Sequence, residues 1–515
     1  MDFGIYSLVP PIVALIMVLI TRRVVPSLGV GIIVGAIMLH FSEERFLLEA
    51  LKYIASIVTE IFYVDGSINN WELYIIFFLL ILGIIASFIT ITGGSRAFGE
   101  WALTKVKTRS GAQFVAGFLG IIIFIDDYFN SLTVGNVSRP FTDRHKVSRA
   151  KLAYIVDSTA APMCVISPIS SWGAYIIGII GGIFVTHEVT NYGALQAFLL
   201  IVPMNFYALF AILLVFAVAY FKLDFGPMKQ HEQRALETGI LVDSSKGQAP
   251  GEMMGSVAGK GEKGDLIWPI ITLIFATIFF MILTGIQATE GKTSLLATFE
   301  NTDVAAALVY GGLVSLLVTV VIAFKRNVAK TDFTGAIIAG IKSMLPAIFI
   351  LIFAWTIIEI IEAIGTDMYL AEQVKSSNLN ISFLPVILFI VAGFMAFSTG
   401  TSWGTFLLML PLAASIAVVN DAQMLLPALA AVLAGSIFGD HCSPISDTTI
   451  LSSTGAGSHH IDHVMTQLPY ALIVGFISII GFLVLGFTYS VILALIATFV
   501  TFCLVIIVLK KIVTT

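Results

Sequence analysis

Charge is what this sequence has least of. Only 11% of its 515 residues are charged, less than half of the roughly 25% usual in soluble globular chains. With 58% hydrophobic residues, a soluble fold would leave large apolar patches in water. Cysteine is nearly absent as well. Cys164, Cys442 and Cys503 lie far apart and make no CxxC or metal-ligand spacing, which removes a disulfide framework and a zinc site. No HExxH signature is present, and the many Ser, His and Asp residues read as polar lining, so the chain is not read as an enzyme and no cofactor is expected. A net charge of -5 without an acidic or basic tail removes nucleic acid as a partner.

What the sequence has in excess is apolar length. Its mean hydropathy is +0.99, with 39 Phe and 43 Gly, and small residues of this kind let membrane helices approach closely. A crossing helix needs about 20 apolar residues. Uncharged runs at 5–21, 24–42, 73–95, 194–221, 266–289, 304–324, 343–358 and 376–420 fit that length, and Val464 to Leu509 makes two spans turning near Gly486. Interrupted apolar stretches at 110–125, 158–186 and 422–439 bring the expectation to an all-α polytopic membrane protein of about 11–14 transmembrane segments. The first run is followed by Arg22 and Arg23 rather than preceded by them and has no cleavage site, so it reads as a span, not a signal peptide.

Basic residues gather at 22–23, 222–263, 325–342 and 510–511, whereas 41–72, 287–303 and 366–375 lean acidic. The positive-inside rule then puts the basic set and the C-terminus in the cytoplasm of a multi-pass cell-membrane protein, with the lipid bilayer as its surroundings. One conflict arises: basic residues at 105–109 and 139–151 both claim the cytoplasmic side across the segment 110–138. Either that segment is re-entrant or one basic loop faces outward. The expected organisation is N-terminal spans over 1–72, a first repeat over 73–221, a flexible Gly, Ser, Lys and Glu-rich linker over 222–265, connecting spans over 266–342, a second repeat over 343–487 and a last span over 488–515.

An internal match at an offset of 314 sets Ile123, Phe124 and Asp126 on Ile437, Phe438 and Asp440, and His145 on His459. Both windows turn from an apolar half-span to Asp, Ser, Thr and Asn, the pattern of a discontinuous helix lining a cavity. Polar breaks at 92–99 and 398–404, the latter with Thr401 and Ser402, suit hairpin tips, and SPISSWG at 167–173 has that chemistry in the first half only. Close helix packing is the alternative for each Gly/Ser cluster.

Between Lys375 and Lys510 there is no Lys or Arg, yet Asp421, Asp440, Asp447 and Asp462 occur there. A carboxylate at membrane depth must find a distant partner, a proton or a cation. Of the adjacent acids Asp126 and Asp127, Asp126 is expected to face the cavity because it matches Asp440. Asn130, Ser131 and Thr133 beside the first acids, and Ser443, Ser446, Thr448 and Thr449 beside the second, are hard oxygen donors suited to Na+, with Asp126, Asp440 and Asp447 as its carboxylate ligands. His441 stands as a proton-titrating candidate. Asp157 is either a site carboxylate or a structural partner. His459, His460, Asp462 and His463 read as a cytoplasmic loop, with metal binding as the other possibility.

The strings GDHCSPISDTTILSSTGAG at 439–457 and IDDYFNSLTVG at 125–135 resemble the NhaC-type Na+/H+ antiporter family. That resemblance implies inverted repeats with re-entrant hairpins and discontinuous helices around a midplane site that exchanges cytoplasmic Na+ for external H+. It assigns site positions to Asp126, Asp127, Asn130, Asp440, Ser443, Pro444, Ser446, Asp447 and Thr448. Some relatives look like carriers of malate and lactate or of amino acids, so a Na+- or H+-coupled carrier of a small organic solute stands beside Na+/H+ exchange. A homodimer is left open.

Overall fold

The computed structural model describes every residue except 1–2, 22–23, 65, 125, 169, 192, 252–260, 290–297, 300, 367, 370–371, 373–379 and 515. Arg22, Arg23, Ile125 of the first acidic motif, linker residues 252–260 and parts of both later acidic loops therefore lie outside the described residues. Among the described residues nine helices are long and apolar enough to cross a membrane, or ten if the bent pair Ala194–Met204 and Phe206–Phe221 is one span. Shorter apolar helices at Gly4–Ala14, Val25–His40 and Tyr175–Thr186 accompany them. The interrupted runs form helix fragments: Arg109–Ile122 has 14 residues and Asp447–Ala456 has 10.

The last apolar run forms His460–Thr488 and Val491–Thr514. The chain reverses at Tyr489, with φ 56°, rather than at Gly486. That glycine lies inside the helix, where its missing side chain admits the backbone oxygen of Ser382.

Two helical hairpins and two broken spans frame the interior. The first hairpin pairs Arg109–Ile122 with Asp127–Arg144. Its open ends lie together, since Arg109 Nε donates to Lys146 O at 3.3 Å. Both basic loops thus lie at one end of the bundle. The second hairpin pairs Leu384–Thr399 with Ser402–Asn420, and Gly400 at φ 71° makes the turn. Its open ends reach the far end of His460–Thr488, through Ser382 against Gly486 and a 2.7 Å bond from Tyr489 Oη to Asp421. His459, at the near end of that helix, touches the linker at Asp243 O, 2.9 Å away. A 29-residue helix is about 43 Å long, so the hairpins open toward opposite ends of the bundle.

A broken span follows each hairpin. Arg149–Ile166 continues into Ser171–Thr186, and Leu425–Cys442 into Asp447–Ala456. Ser170 caps its helix by accepting from Gly173 N at 2.9 Å; Ser446 does the same for Thr449 N at 3.3 Å. Both breaks are spelled Ser-Pro-Ile-Ser, at 167–170 and 443–446. The two breaks share SPIS, 276 positions apart, so the tetrapeptide that opens SPISSWG recurs in the second half. At the offset of 314, Asp126 heads a helix as its N-cap while Asp440 sits in the last turn of one; the two do not occupy equivalent places.

The described part of the linker is not a free coil. Gly226–Thr238 is a helix that buries Met228, Glu232 and Ala235. Glu232 pairs with Arg109 and accepts from Ser148 N at 2.8 Å, while Arg149 N donates to Leu241 O at 3.1 Å. Further on, Lys246 Nζ meets Asp462 at 2.5 Å, and Arg139 donates to Gly251 O at 2.5 Å. The segment is a strap over one end of both halves. Its buried Met228 and Ala235, and a carboxylate matched to Arg109, supply the docking energy that a Gly/Ser-rich composition conceals.

Candidate functional site

The breaks of both hairpins and both broken spans converge. At the first hairpin, Asp126 is the N-cap and its carboxylate accepts from Phe129 N at 3.0 Å, the usual way of satisfying an exposed helix-end donor. Asp127, the next residue, points elsewhere: Trp172 Nε1 donates to its Oδ1 at 2.8 Å, and its Oδ2 is buried without a hydrogen-bond partner. Of the adjacent pair it is Asp127 that turns an open oxygen into the interior. The reason is local: an N-cap carboxylate folds back on its own helix, and the following residue points about 100° away.

Asn130 spends its amide holding the break closed, donating to Gly120 O and Ile123 O at 2.6 Å each. Ser131 Oγ accepts from Ser452 Oγ at 2.9 Å. Tyr128 carries the first hairpin onto the second broken span by donating to Asp447 Oδ2. Asp447 also accepts from Thr448 N at 2.8 Å, and Ser446 and Thr448 hydroxyls lie 2.9 Å apart.

Asp440 closes the other side. Ser402 Oγ donates to its Oδ2 at 3.1 Å and Thr448 Oγ1 at 3.4 Å, while its Oδ1 is buried with no partner. Ser443 Oγ reaches Phe397 O at 2.8 Å, and Thr401 caps Ser402–Asn420 through Trp403 N at 3.2 Å. Trp172 and Trp403 meet edge to face, with centroids 5.3 Å apart, and Tyr175 packs on Trp403 at 4.8 Å. Cys164 Sγ, from the first broken span, donates to Phe124 O at 3.3 Å. Asp126, Asp440 and Asp447 all act electrostatically on Asp127, and among the described residues Asp127, Asp440 and Asp447 form no ion pair. Each break also presents a helix N-terminus, whose N–H groups favour anions, and a helix C-terminus, whose carbonyls favour cations.

Asp157 lies next to these acids, joined to Ser131 through Ser452. It is fully buried and accepts from His463 Nε2 at 3.0 Å, Gln467 Nε2 at 2.5 Å, Thr449 Oγ1 at 3.2 Å and Ser452 Oγ at 3.1 Å. His441 lies beside it, with Nε2 3.1 Å from Asp157 O and Nδ1 3.2 Å from Tyr207 Oη. These bonds join elements of both halves at Asp157.

The histidine run is not a loop. His460 begins a helix, and His463 is fully buried. Helical spacing sends the run apart: His459 to Asp243 O, His460 to Pro444 O at 2.8 Å, Asp462 to Lys246, His463 to Asp157. Among the described residues no group of three or more His, Cys, Asp or Glu is arranged to hold a metal. Gly400–Gly404 reads GTSWG, matching GxSxG spacing, but it joins two helices rather than a strand and a helix and is no nucleophile elbow.

Tyr128, Trp172, His463 and Gln467 are the polar partners that sequence reading left out of the site. The repeated SPIS tetrapeptide was the available signal for Trp172, which follows the first copy by two residues.

A family model described as the Na+/H+ antiporter family matches residues 163–487. An uncharacterized protein of Haemophilus influenzae is 48% identical over 99% of this chain and 96% of its own length. The malate-2H+/Na+-lactate antiporter of Bacillus subtilis is 32% identical over 34% of this chain and 37% of its own. Among solved structures, the YdaH transporter of Alcanivorax borkumensis aligns over 87% of this chain and 91% of its own, at 12% identity and a TM-score of 0.34, too distant to bear on the site. A polytopic helical chain with broken helices around buried acids, matched over most of its length, is a multi-pass membrane transporter and not an enzyme: the chain belongs to the Na+/H+ antiporter family.

Proposed function

We propose that this transporter exchanges Na+ for H+, with Asp127, Asp440 and Asp447 as the carboxylates that hold either ion. The observation that carries this reading is the pair of open, buried carboxylate oxygens, Asp127 Oδ2 and Asp440 Oδ1, on acids that form no ion pair among the described residues. Such oxygens are costly unless a proton or a cation meets them. Hydroxyls of Ser402, Ser446 and Thr448 and the carbonyls of the broken helix ends complete a Na+ shell, whereas a proton needs one carboxylate oxygen alone. Binding of one ion excludes the other, which couples their movements. The two hairpin-plus-broken-span units serve as the inverted repeats that expose this site to one side at a time.

In proteoliposomes an imposed Na+ gradient is expected to drive counter-movement of H+, and Asp440→Asn to abolish it. Unchanged flux in that variant would remove Asp440 from the site, and absence of Na+-driven H+ movement in the native protein would sink the reading itself. A second reading, a Na+- or H+-coupled carrier of a small organic solute, draws on the Trp172, Trp403 and Tyr175 rings beside Asp127 and on the name of the Bacillus relative. Thermal stabilisation by malate, lactate or amino acids, but not by Na+ alone, is the outcome that favours it.

A further inference from the structure

A cavity of about 320 Å³ lies at the strap end of the bundle, away from the carboxylates. One wall is hydrocarbon: Leu82, Ile85, Ala86 and Ile89 share a face of Asn70–Ile91, and Leu266 and Ile270 stand opposite on Gly264–Ala288. The other wall is cationic, formed by Arg96, Arg139, Arg144 and Arg149, with Asp143 as the acid among the lining residues. We propose that this cavity binds an anionic phospholipid, with its phosphate on the arginines and the first part of its acyl chains against the apolar wall.

The arginines divide by what holds them. Arg139 is anchored on Gly251 O and Thr454 O, and Arg149 is clamped on Asp143 by two bonds of 2.6 Å. Arg96 and Arg144 are exposed and share Glu100 at 3.9 and 3.8 Å. Contacts that long and that wet are weak, so Arg144 gives up its share of Glu100 to a phosphate at little cost, with Arg96 beside it. Their planar guanidinium groups match its oxygens in pairs. A basic pocket between helices, at the end that the positive-inside rule assigns to the cytoplasm, is the setting in which anionic headgroups are held. The same charge repels Na+, which separates this cavity from the transported cation.

The apolar wall favours lipid over a soluble anion. The cavity has room for many waters, so inorganic phosphate would leave most of the hydrocarbon wet, whereas a diester with attached chains covers it.

The test uses the purified full-length chain, delipidated in neutral detergent, with lipid retention read by native mass spectrometry and stability by thermal melting. Phosphatidylglycerol is expected to be retained and to raise the melting temperature, and phosphatidylcholine and inorganic phosphate to do neither. The double variant Arg96→Gln with Arg144→Gln is expected to hold phosphatidylglycerol about thirty-fold more weakly. Ala86→Phe fills the hydrocarbon side without touching an arginine, is expected to lose the lipid too, and decides the matter if the double variant does not fold. Equal protection by inorganic phosphate would mean a soluble-anion site, and equal retention of phosphatidylcholine would mean unselective annular lipid. Either result, or undiminished retention in the variants, overturns the proposal.

Discussion

Trp172 donates its indole N–H to Asp127 Oδ1 at 2.8 Å from inside a fully packed aromatic cluster. A hydrogen bond to a charged group is worth about 1.5–3 kcal/mol, about ten- to a hundred-fold in an equilibrium constant. Trp172→Phe keeps a ring against Trp403 and Phe406 but removes the donor. In the proposed exchange it is expected to weaken apparent Na+ affinity about ten-fold or more with little change in maximal rate at saturating Na+, measured as Na+-dependent H+ flux in proteoliposomes. Unchanged affinity would take Asp127 out of the ion site. At this scale the sequence told residue types but not directions. The scarcity of bases from 376 to 509 made the acids conspicuous, yet nothing in a string of letters separates an Asp that caps its own helix, as Asp126 does, from a neighbour that turns inward.

The first hairpin and the second broken span cross with almost no side chain between them. A methyl group at Gly135 would fall on the backbone of Gly455, and one at Gly455 on the backbone of Ser131. Since backbone cannot give way as a side-chain tip can, overpacking here costs about 1–3 kcal/mol or more. Gly135→Ala is expected to lower the melting temperature in detergent and to depress transport, because it pries Tyr128 from Asp447; an unchanged melting curve would mean that the helices slide apart freely. The strap is an element of another kind, docked by buried Met228 and Ala235 and by polar contacts around them. Burial holds His231 below the ordinary histidine range, with Arg234 and Lys246 acting in the same direction and Asp462 and Asp243 opposing. A histidine whose value is depressed on docking favours the docked state fully above about pH 6.5, and that contribution is lost as pH falls toward the depressed value. Hydrogen exchange over 226–246, taken relative to the intrinsic amide rate at each pH, is thus expected to rise as pH falls from 7.5 to 5.5, and to rise less in His231→Gln. Glu232 is present in both proteins, so its own titration cancels in the comparison; identical pH dependence would exclude His231. Composition pointed the other way for this segment, because Gly, Ser, Lys and Glu mark a linker whether or not one of its faces carries Met228 and Ala235 to a docking surface. Apolar runs located the long helices well, since hydrophobic length is a local property. The correspondence between the halves was harder to see, as it rests on the capping geometry of SPIS and not on the acids that drew attention.

Across the whole molecule, the strap joins parts that the proposed cycle moves relative to one another. Its first section is tied to the first hairpin and the following broken span through Arg109, Ser148 and Arg149, and its later section to the second half through His459, Asp462 and the carbonyl of Thr454 beside Arg139. Alternating access needs one repeat to rock against the other around a fixed site, and among these ties the part-exposed Lys246–Asp462 pair is the one that parts at least cost. In the proposed cycle that contact breaks and re-forms in each turnover. A covalent tie in the same place does not. With Lys246 and Asp462 both changed to Cys, a short bismaleimide is expected to bridge them, since the native side chains meet at 2.5 Å. Bridging is expected to cut flux to a few per cent of that of the unlinked double variant, while monofunctional maleimide leaves flux near its starting level. Cys164 and Cys442 are buried and do not compete for the reagent; Cys503 is replaced by Ser as a precaution. Full flux in cross-linked protein would mean that the strap travels with one rigid unit, and that the moving boundary lies elsewhere than between Lys246 and Asp462.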